Sequence, residues 1–272
     1  MNTAINVPQP HSPQVQLRPR EHGAYAILSM PLLAALLIGG VTPVGVLTTL
    51  AAVAGFLANE PLLVVWGRRG QNARQSEPVA RRALVALLSL AVISGASALL
   101  LGTAIIRIAL ASSALLAALG FAFSVTGHQR TLTAQLVGIL GLTAPSAVVL
   151  LAGRTDTWLT LALTSAWVLG RVATTTSVRS IFARQKASHQ RRVPRIYDLI
   201  LGSAAAVLLF GCVSGIGAWL TVTPLLLVAA LLRIWPPSVH GIRRLGWELV
   251  AVNCVSCAWM VIWYGGPLTT WS

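Results

Sequence analysis

The 272 residues are 56% hydrophobic and only 10% charged, with 20 Lys and Arg against 6 Asp and Glu, a formal net charge of +14. A soluble domain is about a quarter charged and needs polar groups to cover its exterior. Too few are present here, which excludes a water-surrounded globule and makes lipid the solvent for most of the outside. The basic residues lie between apolar runs, so they read as loops beside anionic headgroups rather than as a nucleic-acid surface.

A spanning helix needs about 20 mostly apolar residues at a rise of about 1.5 Å each. Residues 1–20 are polar and rich in Pro and Gln, and are expected to form a disordered cytoplasmic tail. They do not resemble a signal peptide, because the apolar run that follows is long and no small-x-small cleavage site ends it. Residues 21–272 are expected to form one transmembrane domain of about nine helices. In chain order these are Ala24–Val41, Val46–Trp66, Ala83–Leu101, Thr103–Thr126, Leu132–Ala152, Thr157–Val178, Ile196–Ile216, Ala218–Trp235 and Leu245–Tyr264. The fold class is therefore an all-α polytopic bundle.

Orientation tests the helix count. With the N-terminus in the cytoplasm and the C-terminus outside, only Arg107 and Arg154 among the Lys and Arg residues fall on the outer side. The positive-inside rule supports that arrangement, with the cell (inner or plasma) membrane as the location. Trp66, Trp235 and Trp247 then mark inner helix ends, and Trp158, Trp219 and Trp263 outer ones, as an aromatic belt requires.

With spanning backbones hydrogen-bonded internally, chemistry must come from side chains and helix breaks. Ionisable groups in or beside a span are costly unless paired or hydrated, so each is a site candidate. The first group is Glu21, His22 and Tyr25 at the entry to the first helix, where Glu21 suits the positive end of the dipole and His22 can titrate near neutral pH. The plain alternative is a capped helix end. The second is Asn59 and Glu60 before Pro61, which removes one backbone hydrogen bond and frees a carbonyl near Leu57. The alternative there is a structural salt bridge. The third is Arg171, Thr175 and Arg179, spaced i, i+4, i+8 on one helix face. Two guanidiniums flanking a hydroxyl suit a phosphate or carboxylate, or else pair with Glu60, Glu248 or lipid headgroups. The fourth is Arg243, Arg244 and Glu248 around the start of the ninth helix, where the i, i+4 spacing of Arg244 and Glu248 also suits a simple intrahelical pair. Asp156 reads as a helix cap and Asp198 as an end-of-helix charge. Cys254 and Cys257 have C-x-x-C spacing without a second pair or a His-rich run, so no metal is assigned to them. No cofactor is expected. The chain lacks a G-x-x-x-x-G-K-[ST] loop, an H-E-x-x-H pair and a G-x-S-x-G elbow.

The opening Glu-His-Gly-Ala-Tyr-Ala at 21–26, followed by an apolar run containing Pro31, resembles the basic-x-His-Gly-Ala-Trp-Ala start of the YwiC-like family of bacterial membrane proteins. The likeness extends towards Arg-Leu-Gly-Trp-Glu at 244–248. It implies a multi-pass membrane location rather than a particular activity. The layout is also similar to that of UbiA-type prenyltransferases, which hold Mg²⁺ and a prenyl diphosphate on aspartate-rich motifs late in helices two and six. Here those places read Asn59-Glu60-Pro61 and Arg171-Val-Ala-Thr-Thr-Thr-Ser-Val-Arg179. One Glu cannot supply the oxygen ligands of a diphosphate–Mg²⁺ site, so a shared fold would imply lost metal chemistry and an anionic head held directly by arginine.

Two expectations follow. One is a bundle that binds an anionic amphiphile, a lipid or isoprenoid phosphate, at a cytoplasmic-side cavity, with or without catalysis of the UbiA membrane-transferase type. The other is a small transporter or permease with Pro61 and Pro145 as helix breaks. A structural subunit of a membrane complex is a third role compatible with the sequence. The expected partners are the bilayer, its anionic headgroups and an isoprenoid or lipid ligand, and no nucleic acid.

Overall fold

The computed structural model describes residues 22–70, 73, 76–129, 131–186, 195–214, 217–235 and 242–265. The expected tail at 1–20 lies outside them. The described residues form nine α-helices, one 3₁₀ segment and no strand. They are α1 (His22–Gly39), α2 (Pro43–Val65), α3 (Glu77–Leu101), α4 (Ala104–Thr126), α5 (Leu132–Ala152), α6 (Thr157–Lys186), α7 (Arg195–Val213), the 3₁₀ segment Gly217–Val222, α8 (Thr223–Ile234) and α9 (Ile242–Tyr264).

Local chemistry sets the starts. Thr42 Oγ1 accepts from Gly45 N at 3.1 Å ahead of Pro43, and Thr131 Oγ1 accepts from Ala134 N at 3.2 Å. Asp156 Oδ2 accepts from Trp158 N at 2.8 Å and Leu159 N at 3.1 Å, the capping role its position suggests. α4 ends on Gly127 at φ 81°, a left-handed position that glycine adopts without a Cβ penalty.

Each of the nine expected helices has a counterpart; the eighth, expected over Ala218–Trp235, divides into the 3₁₀ segment and α8, most other limits shift by one to three residues, and two move further. α3 begins at Glu77 rather than Ala83, because Pro78 in its first turn starts a helix well. α6 continues past Val178 to Lys186, since a helix that leaves the apolar layer keeps its backbone bonds while its side chains turn polar.

Among the described residues six stretches are long and apolar enough to cross a membrane: Pro43–Val65, Glu77–Leu101, Ala104–Thr126, Leu132–Ala152, Gly217–Ile234 and Leu245–Tyr264. Tyr25–Gly39 and Tyr197–Gly211 are apolar but shorter. α6 is long enough, but it carries buried Thr160, Arg171, Thr174, Thr176, Ser177 and Ser180. The protein is a multi-pass helical membrane protein.

α1 packs against α5 and α9, α5 against α6, α6 against α8, and α8 against α9, which closes a circuit of five helices. Its interior is the main apolar core, including Leu28, Leu32, Val149, Leu163, Trp167, Val222, Leu225 and Met260. α7 lies on α6 and the 3₁₀ segment, α2 and α4 lie on α5, and α3 lies along α2. Close approaches use glycine: a Cβ on Gly153 would collide with the Gly39 backbone, and one on Gly170 would sit 2.8 Å from Leu225 Cδ1. Trp66, Trp158, Trp235 and Trp263 are exposed at helix ends and Trp247 is exposed in α9, positions suited to a membrane–water interface.

Candidate functional site

Arg171 is the only buried cationic side chain among the described residues, at 2% exposure. It projects from α6 towards the start of α1, where its Nη2 donates to Ala26 O at 3.1 Å. Its guanidinium carbon lies 5.2 Å from the ring centroid of Trp167, one turn earlier on α6, within the range of a cation–π contact. Among the described residues Nε and Nη1 have no hydrogen-bond partner, and neither has the indole Nε1 of buried Trp167. Thr143, Thr160 and Ser256 also bury hydroxyls without partners. A hydroxyl is far cheaper to bury than a guanidinium, so Arg171 dominates the polar energetics of the bundle.

The rest of the expected α6 cluster divides. Thr175 is half-buried, while its neighbour Thr174 turns its hydroxyl to Gly170 O at 3.0 Å and Arg171 O at 3.1 Å. Arg179 donates from Nη1 to Gln135 Oε1 at 2.9 Å, tying α6 to the first turn of α5. The i, i+8 spacing thus shares a face without sharing a contact. Eight positions are about 12 Å along a helix, and Arg171 folds back over Trp167, away from Arg179.

On α2, Glu60 is buried and the Arg69 guanidinium grips it from beyond the helix end, with Nε donating to Oε2 at 3.0 Å and Nη2 to Oε1. Asn59 is half-buried beside it. One turn earlier, Phe56 meets Tyr25 of α1 edge to face, with centroids 5.3 Å apart and an interplanar angle of 80°. Tyr25 and Ala26 therefore join the start of α1 to α2 on one side and to Arg171 on the other. Glu248 is exposed on α9. Glu21 lies outside the described residues, as do the side chains of His22 and Arg244.

The donor set does not fit a Mg²⁺ diphosphate. Glu60 is committed to Arg69, and no group of three or more His, Cys, Asp or Glu side chains placed to hold a metal occurs among the described residues. Cys257 donates its thiol to Met30 O at 3.6 Å between α9 and α1, and Cys254 is exposed. Arg171 and Trp167 together present three N–H donors, Nε, Nη1 and the indole Nε1, without partners among the described residues.

Sequence reasoning missed Trp167, Arg69 and Gln135. Trp167 had a usable signal, its i, i+4 spacing to Arg171. Arg69 and Gln135 had none, because their contacts depend on how a loop returns and how two helices cross.

Neither the curated proteins nor the solved structures give a match, so no comparison supports the expected likeness to UbiA-type enzymes. The family model described as YwiC-like protein matches residues 18–150, just under half of the chain. That stretch contains the opening motif, α1–α4 and all but the last two residues of α5, and stops before α6 and the 244–248 segment. Through those five helices the chain is similar to the YwiC-like family, as its opening residues indicate.

Proposed function

We propose that the protein is a nine-span inner-membrane protein, N-terminus in and C-terminus out, that binds the head of an anionic amphiphile, a lipid or isoprenoid phosphate, from the cytoplasmic side. The observation that carries this reading is the Arg171 guanidinium, buried in an apolar bundle with unpartnered N–H groups on two of its nitrogens. A charge so placed costs several kcal/mol unless something neutralises it. An anionic head would do so through charge-assisted hydrogen bonds. In this reading Trp167 walls one side of the guanidinium, Ala26 O fixes its orientation, and Arg179 stands nearer the cytoplasm as a first contact for arriving anions.

Native mass spectrometry of gently extracted protein tests this. The wild type should retain a lipid-derived anion, and Arg171→Ala should lose it while remaining inserted. Equal retention by both would remove the proposal.

A second reading, a transporter, is supported by Pro61 and Pro145, both buried and both inside helices that pack together, α2 and α5. Each breaks one backbone hydrogen bond within a span. Solute flux in proteoliposomes that disappears in Glu60→Gln would favour it over simple binding.

A further inference from the structure

The depth and isolation of Arg171 narrow the chemistry of the proposed ligand. This step rests on the anion-binding reading above. α6 starts at Thr157, beside the exposed Trp158 and the Asp156 cap. From Thr157 to Arg171 the helix rises about 21 Å, which leaves about 9 Å to the far edge of a hydrocarbon core about 30 Å thick. An arginine at such a depth ordinarily extends towards the nearer interface. Arg171 is instead enclosed by the protein, held between the Trp167 ring and Ala26 O in the second turn of α1. The fold holds the guanidinium inside the apolar layer and accepts the cost.

The second cation of this face cannot help it. Arg179 lies about 12 Å further along the helix axis and is turned to Gln135. A diphosphate held by Arg171 would reach the second guanidinium only if Arg179 left Gln135 and turned back along the helix. Among the described residues the remaining donors are the Nε and Nη1 of Arg171 and the indole Nε1 of Trp167, three nitrogens bearing one positive charge between them. In a low-dielectric site the negative charge of a ligand must be matched locally, because any excess stays uncompensated.

We infer that the Arg171–Trp167 site takes a singly charged amphiphile head, a long-chain carboxylate or a phosphodiester, and discriminates against diphosphates. The carboxylate or phosphodiester oxygens would accept from Arg171 and from the indole N–H, and the acyl chain would lie among the apolar residues around Trp167. The two permitted heads share one chemistry, a monoanion with more than one acceptor oxygen.

The test compares ligands on the full chain, purified in a neutral detergent. Palmitate, phosphatidylglycerol and farnesyl diphosphate are each added, and retention is read by native mass spectrometry and by the shift in thermal unfolding. The expected result is retention of palmitate or phosphatidylglycerol at least tenfold stronger than that of farnesyl diphosphate. Which of the two is retained identifies the head. Trp167→Phe, which keeps the ring and removes the N–H, should weaken the retained ligand several-fold, and Arg171→Met should abolish its binding. Should Arg171→Met fail to fold, the ranking of ligands on the wild type still decides. Stronger retention of farnesyl diphosphate than of either monoanion, lost in Arg171→Met, would overturn the monoanion assignment and leave the anion-binding reading intact. Failure of all three to bind through Arg171 would overturn both.

Discussion

Arg69→Ala would leave the Glu60 carboxylate buried without its cation. The Glu60 side chain is 9% exposed and that of Arg69 is 35% exposed, so the pair sits between the surface and interior cases. Exposed pairs contribute about 0–1 kcal/mol, while removing one partner of a fully buried pair costs about 3–5 kcal/mol. Two parallel contacts favour the upper part of this range, and the partial hydration of Arg69 lowers it. A loss of about 2 kcal/mol is expected for Arg69→Ala. The companion change separates charge from shape: Glu60→Gln combined with Arg69→Ala removes the unpaired charge and should recover most of that loss. Reversible unfolding in mixed micelles, followed by helix content across all four forms of the double-mutant cycle, measures it. A coupling below about 0.5 kcal/mol would refute the argument, because it would mean that water already serves Glu60 as well as Arg69 does.

Gly153→Ala places a Cβ against the Gly39 backbone, which has no flexible end to move aside, and should cost at least about 2 kcal/mol in the same unfolding assay. Gly138→Ala, where nothing lies within 4 Å, should change stability by less than about 0.5 kcal/mol and serves as its control. Asp156→Ala removes the acceptor for two N–H groups at the start of α6 and should cost about 1 kcal/mol. Asp198→Asn breaks the contact from Arg233 Nε at 2.6 Å between α7 and α8, but the Asp198 side chain is 52% exposed. Its effect should stay below about 1 kcal/mol and shrink further in high salt. Reporter fusions to the two termini should signal from opposite sides of the membrane, and signals from one side would exclude the nine-span arrangement.

The helices were legible in the sequence because the apolar layer imposes their length, and Thr42, Thr131, Asp156 and Gly127 punctuate them where capping chemistry requires. The C-terminal end of α6 was not, because the apolar run ends at Val178 while the backbone stays helical to Lys186. The site was legible residue by residue and much less so as an arrangement. Periodicity sets Arg171 and Arg179 on one face, but it is silent about rotamers, and the rotamers send the first to Trp167 and Ala26 and the second to Gln135. Glu60 was recognisable as a buried carboxylate beside Pro61. Its partner lies past the helix end, where spacing rules no longer apply.

α3 and α4 are the least enclosed of the long helices, with only 11% and 6% of their apolar windows buried. Their composition is therefore governed mainly by the thickness of the surrounding bilayer and only weakly by complementary neighbours. Leu, Ile, Val and Phe should interchange freely along them during evolutionary drift, whereas the closely fitted α5 and α6 should resist such exchange. Divergence between related chains would then concentrate on these two helices without disturbing the Arg171 region.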